Sequence, residues 1–240
     1  MADFIFADKY RLEKGVTRDF YETFLKGLVH KHNNLMGVIQ GFSSLILYDD
    51  GISNEVRDSA QQMQDSAKIA SELNREVLIA AGCSHFEEGQ FSLTDMMPFL
   101  QGKAEEACNG PGVALQVSPI ESLPPVRGDG GKFTQIFEHL IRNAAEAAAS
   151  TSGGSVAIDA FPPGQASPGG TVDLFIRNTS EELDEEAICN AFVPFETTKG
   201  SDHFGLGLTT AAVLAGEMDM RLGLRHADAT TTAWVAMPVA

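Results

Sequence analysis

Basic side chains are scarce in this chain of 240 residues: 17 lysines and arginines stand against 33 aspartates and glutamates, a formal charge of −16. Nucleic acid and anionic membrane surfaces both need a basic face that neutralises phosphates, so neither is expected as a general partner. Proteins, or anions accompanied by Mg²⁺, fit the charge better. Cysteine is rare as well. Cys83, Cys108 and Cys189 are widely separated and odd in number, which gives no disulfide framework and no paired metal-ligand spacing, and suits reduced thiols in a cytoplasmic protein. No uninterrupted apolar run reaches the roughly 18 residues of a membrane span. The amino terminus "MADFIFADKYRLEKG" alternates apolar with charged residues, unlike a secretion leader. Internal repeats and long low-complexity segments are also missing. What is present is a globular composition, 43% hydrophobic, long enough for one large domain or two modest ones.

Two regions follow a short N-terminal segment, residues 1–16. In the first, residues 17–84, Phe24, Leu28, Leu35, Ile39, Phe42 and Ile46 recur at helical spacing, and Val56, Met63, Ala70 and Val77 recur every seven residues after the turn "YDDGIS". The pattern predicts a helical hairpin. One hairpin cannot fully cover two such stripes, so a homodimer forming a four-helix bundle is expected. In the second region, residues 91–240, β-like runs "VALQV", "SVAIDAF", "TVDLFIRN" and "TTAWVAMPV" alternate with helix-like runs "GKFTQIFEHLIRNAAEAAAS" and "GLGLTTAAVLAGEM". That alternation predicts an α/β layer structure and makes the whole chain α+β.

The first helix carries His30 and His32 with only Lys31 between them, followed by Asn33 and Asn34. A histidine on a helix surface is ordinary, and a pair two residues apart does not share a face, so it makes a poor metal site. A neutral imidazole nitrogen is nevertheless a competent nucleophile toward a phosphoryl group near neutral pH.

The stretch "HKHNNLMGVIQG" resembles the phosphoacceptor box of sensor histidine kinases of the nitrogen-regulator and hybrid types. The resemblance implies that His30 accepts the phosphoryl group and that Asn34, one turn on, orients water in phosphatase reactions. Lys31 replaces the family's acid, and His32 replaces a packing residue among Leu28, Leu35 and Met36. Further on, "QIFEHLIRNAAEAA" is similar to the family's Asn box. It implies that Asn143 binds Mg²⁺ and nucleotide phosphates, and it sets His139 where an earlier Asn is common. "FVPFETTKGSDHFGLGL" resembles the lid and glycine box, implying that Lys199, Gly205 and Gly207 hold ATP phosphates. The chain thus resembles a dimerisation and phosphoacceptor hairpin followed by an α/β-sandwich ATPase-like (Bergerat) domain, with a response-regulator receiver domain as partner.

One family element is missing, the Asp-x-Gly-x-Gly that seats adenine. "TVDLFIRN" runs into "TSEELDEEAI", placing Asn178 near the Asp position and Ser180 and Glu182 near the glycines. Asn178 can still accept one hydrogen bond, whereas side chains in place of glycine are expected to crowd the base. Two functions remain open on these residues. One is an ATP-dependent histidine kinase; the other is a phosphotransferase fed by another kinase's relay, or a scaffold that binds a response regulator without ATP.

Overall fold

The computed structural model describes residues 4–8, 16–120, 122–167, 169–197 and 204–240. Two compact units divide the chain, one of Glu13–Ser84 and one of Met1–Leu12 with His85–Ala240.

In the helical unit, α1 (Val16–Leu47) and α2 (Asn54–Ala80) pack against each other as an antiparallel hairpin. The turn is held by its own polar groups. Gly51 N donates to Asp49 Oδ1 at 2.8 Å, Val56 N donates to Ser53 Oγ at 3.4 Å, and Arg57 donates to the carbonyls of Leu47 and Asp49 at 3.3 Å each. These bonds satisfy groups that helix ends leave open. The seam between the helices is narrow: Val29 and Ser43 of α1 and Ala60 and Ala67 of α2 are buried. Ser43 Oγ donates back to Ile39 O at 2.8 Å, so its burial leaves no unpaired hydroxyl.

The stripes read from the sequence are not this seam. Phe24, Leu28, Leu35 and Phe42 are 53–65% exposed, and Val56 and Met63 of α2 are 46% and 47% exposed. The small residues Ala60 and Ala67 let the helices approach closely, and that contact selects the α1 positions one step round from the large apolar ones. Helix α1 therefore has two apolar faces. The hairpin uses one.

The second unit is built on a six-stranded sheet. Its strands are β1 (Ile5–Phe6), β3 (Ala114–Val117), β5 (Ser155–Phe161), β6 (Thr171–Thr179), β7 (Arg221–Ala227) and β8 (Thr230–Pro238), in the order β1-β7-β8-β6-β5-β3. Only β3 and β5 pair in parallel; every other neighbour is antiparallel. A small second sheet pairs β2 (Gln90–Phe91) with β4 (Val126–Arg127). Helices α3 (Leu93–Asn109), α4 (Gly130–Ala149) and α6 (Gly207–Glu217) form the layer on one side of the large sheet, with the short α5 (Glu185–Asn190) against β7. Phe133, Ile136, Phe137, Leu140 and Ile141 of α4 are buried with Val156, Ile158, Leu174, Ile176, Leu222 and Val235 of the sheet. Burying a side chain of this size removes about 1.5–3 kcal/mol of apolar exposure, so this layer holds the unit together. The α+β fold expected from the sequence is the one observed.

The opposite sheet face is aromatic. Phe161, Phe175, Trp234, Phe6 and Phe4 form a row of ring contacts with centroids 5.2–6.2 Å apart. Gly223 leaves room beneath it: a Cβ there would lie 3.0 Å from two ring carbons of Phe6. The fully buried carboxylate Asp173 accepts from the Trp234 indole at 3.1 Å and from the hydroxyls of Thr171 and Ser167 at 3.0 and 2.7 Å. Three donors offset the desolvation of that charge. Among the described residues, no helix is long and apolar enough to cross a membrane.

Candidate functional site

Site residues fall in both units, and each group is built by its own local packing. On α1, His30 and Asn34 stand one turn apart, both exposed, with Lys31 exposed beside them. His32 is half-buried, and its Nδ1 lies 2.8 Å from Asn74 Nδ2 and 3.1 Å from Asn74 Oδ1 on α2. Asn74 Nδ2 also donates to Asn33 Oδ1 at 2.6 Å. So His32 faces a polar partner across the hairpin, where the sequence suggested an apolar packing site. Of the two imidazoles, the hairpin engages one and leaves His30 open. Asn74 was invisible to motif reading, because its only sequence signal is a polar residue among the seam positions of α2.

In the second unit, α4 carries Asn143 and His139, both half-buried, and packs on β6 and on α6. The amino end of α6 comes close to these two side chains. A Cβ on Gly207 would lie 3.2 Å from His139 Nδ1 and 4.0 Å from Asn143 Nδ2, so glycine lets the helix start seat directly against them. Among the described residues, the N-cap position Leu206 gives these opening amides no side-chain bond. Bare amides and the helix dipole together favour an anion. Gly205 just ahead has φ +65°, and a Cβ there would meet Phe195 C at 2.7 Å and Glu196 O at 2.8 Å. Its carbonyl accepts from Phe195 N at 2.9 Å, which joins the two flanks of the lid segment. Thr209 Oγ1 ties α6 to Phe192 O at 2.9 Å, a buried bond that the motifs did not signal. Lys199 lies outside the described residues.

Asn178 stands one residue before the end of β6, on the sheet face that packs against the helices, paired with Val156 and Thr231 on its neighbours. Its Nδ2 donates to Thr179 O at 2.8 Å, which leaves Oδ1 as the group able to accept from a ligand. Ser180 is buried, with Oγ 2.9 Å from Thr231 Oγ1 and 3.3 Å from His226 Nδ1. Leu183 N donates to His226 Nε2 at 3.4 Å. The Glu182 side chain is 83% exposed, with Oε2 3.5 Å from His226 Nε2. Ser180 is thus turned into the sheet by His226 and Thr231, two residues that no motif pointed to.

Residues 128–240 match the family described as Histidine kinase-, DNA gyrase B-, and HSP90-like ATPase. The chain is 28% identical to Two-component system protein A of Emericella nidulans over 83% of its length and 30% of that protein's. It is 35% identical to the Sensory histidine kinase/phosphatase NtrB of Azospirillum brasilense over 40% of its length and 26% of the relative's. The chain therefore spans under a third of the length of these curated relatives. Full-length ShkA, solved in complex with AMPPNP, shares the fold with a TM-score of 0.74 at 22% identity, covering 91% of this chain and 46% of that one. Residues 128–240 thus match a GHKL-type ATPase family model, and the chain as a whole is similar to histidine kinases of two-component signalling.

Proposed function

We propose that His30 exchanges a phosphoryl group with an aspartate of a response-regulator receiver domain, docked on a homodimeric bundle of α1 and α2. The observation that carries this reading is the contrast between the two neighbouring imidazoles: His32 is held by Asn74, while His30 is exposed with Asn34 one turn away. In the transfer, a ring nitrogen of His30 bonds to phosphorus as the P–O bond to the donor breaks, and the electron pair leaves on the donor's oxygen. Exposed Phe24, Leu28, Leu35 and Phe42 form the face that a second copy would cover.

The second unit fits ATP with Mg²⁺ at the phosphate end. Asn143 would hold the metal by its side-chain oxygen, and the amides opening α6 at Gly207 would face the phosphates. When bound, ATP would supply the γ-phosphoryl group. Asn178 Oδ1 would accept from the base amino group, without the charge assistance of a carboxylate. A second reading, phosphotransfer fed by another kinase without ATP, is favoured by Ser180, buried against Thr231 and His226 where the family has glycine.

The test supplies the purified protein with Mg²⁺ and radiolabelled ATP, or with a labelled phospho-receiver, and follows acid-labile, base-stable label. His30→Ala abolishes it, and His32→Leu still takes it. Label from ATP identifies a kinase, and label from the receiver alone identifies the phosphotransferase. If neither donor labels the wild type, His30 is not a phosphoacceptor.

A further inference from the structure

We infer that Asn33 binds the phosphoryl group at His30, and that Asn74 of α2 is the positioning residue that turns Asn33 toward it. This inference rests on the phosphoacceptor reading of His30. Asn33 follows His30 by three residues on α1, so the two side chains are neighbours on the helix surface, and both are exposed. A free asparagine amide on a helix surface rotates, presenting its oxygen and its NH₂ about equally. Here that freedom is removed from the other helix. Asn74 Nδ2 donates to Asn33 Oδ1 at 2.6 Å, and the same amide is held against His32 Nδ1, 2.8 Å from Nδ2 and 3.1 Å from Oδ1. With its oxygen committed to Asn74, Asn33 presents its NH₂ outward as a pair of donors.

Donors are what this position needs. A phosphoryl group in transit carries its charge on peripheral oxygens, and catalysis of its transfer is mostly placement of donors and cations around them. Asn33 supplies such a donor beside His30, and Lys31 places a cation next in sequence. His32 contributes indirectly, since its Nδ1 lies within hydrogen-bond reach of the Asn74 amide and helps hold the group that holds Asn33. The unusual histidine after Lys31 thereby gains a role that a packing residue in its place could not fill.

The experiment measures the single-turnover rate of transfer from a labelled phospho-receiver to the full chain, with receiver affinity and thermal stability determined in parallel. Asn33→Asp keeps an oxygen for Asn74 but replaces the donors with an acceptor. It should slow transfer about tenfold or more, as expected for losing a hydrogen bond to a charged group, while leaving stability and receiver affinity near wild type. Asn33→Leu should slow it similarly. Asn74→Leu should slow it less, because an unanchored Asn33 still presents its NH₂ part of the time. Since Asn74 acts through Asn33, the double variant Asn33→Leu/Asn74→Leu should be no slower than Asn33→Leu alone. Wild-type rates in Asn33→Asp, or additive losses in the double variant, overturn the inference and leave His30 intact as phosphoacceptor. A wild type that takes no label overturns the phosphoacceptor reading itself, and this inference with it.

Discussion

The two units stabilise themselves in opposite ways. The sheet unit buries its large side chains: Phe133, Phe137, Ile158, Leu174 and Ile176 are at most 1% exposed. In the helical unit the buried helix positions are Val29, Ser43, Ala60, Ala67 and Ile79, while Phe20, Phe24, Leu28, Leu35 and Phe42 face outward, each more than half exposed. One unit is complete on its own chain. The other has a broad apolar face larger than a solitary soluble hairpin normally keeps. The contrast teaches that the amount of apolar surface in a segment says little about where its stability comes from, because the hairpin's hydrophobic residues are mostly those it does not use internally.

The largest effect that can break this contrast is a truncation in the sheet unit. Phe133→Ala or Phe137→Ala should destabilise that unit by about 3–5 kcal/mol, the range for large aromatic truncations in packed cores. Trp234, the single tryptophan, belongs to this unit, so its fluorescence during denaturant unfolding reads the loss directly.

Next in size is the outward face of α1. If a second copy covers it, Phe42→Asp should place an unpaired charge in an apolar contact, at several kcal/mol, and light scattering should report a halved mass. If the hairpin stands alone, the same change should alter stability by no more than about 0.5 kcal/mol, as at any exposed position. The measurement separates a shared core from a bare one.

Smaller and more local is Gly205→Ala. A side chain at φ +65° against Phe195 and Glu196 should cost about 1–3 kcal/mol. Because Gly205 joins the flanks of the lid segment, calorimetry with AMPPNP should show weakened binding while the melting of the sheet core changes little.

The smallest effect lies on the helical unit's surface. The Lys26 ammonium hydrogen-bonds Glu22 and holds its carboxyl below the usual value of 4.5. A depressed carboxylate stabilises above its unfolded pKa, so this contribution should be present at neutral pH and vanish as pH falls below about 4.5. Glu22→Gln should lose only about 0.3–0.5 kcal/mol at pH 7, the size of an exposed pair one turn apart, and the difference from wild type should shrink as the pH falls through the lowered pKa of Glu22.

Much of the architecture was legible along the chain. The runs quoted as strands became β3, β5, β6 and β8, and the two helix-like runs became α4 and α6. Their local periodicity agrees with the burial the fold imposes. Elements whose local pattern is mixed did not announce themselves. Helix α3 contains Pro98 and Gly102, and β7, "RLGLRHA", has arginines and a glycine facing the aromatic layer. The glycine box was readable because the left-handed backbone at Gly205, where a Cβ would meet Phe195 C at 2.7 Å, demands glycine.

What the sequence by itself determined is therefore periodic or chemically singular: a helical pair, an α/β layer, a histidine beside two asparagines, and glycines where the chain turns tightly. Only the tertiary structure decided which face of α1 meets α2, since two apolar stripes share that helix and the small Ala60 and Ala67 choose between them through contact distance. It also decided that Ile5 and Phe6 join the sheet edge beside Leu224 and Gly223, a pairing between opposite ends of the chain that no local pattern encodes. The different fates of His30 and His32 were settled in the same way. Their spacing along the helix separates them, but a residue from the other helix, Asn74, is what engages one ring and leaves the other open. Hydrogen bonds across a seam depend on the register of two helices, and register is set by packing.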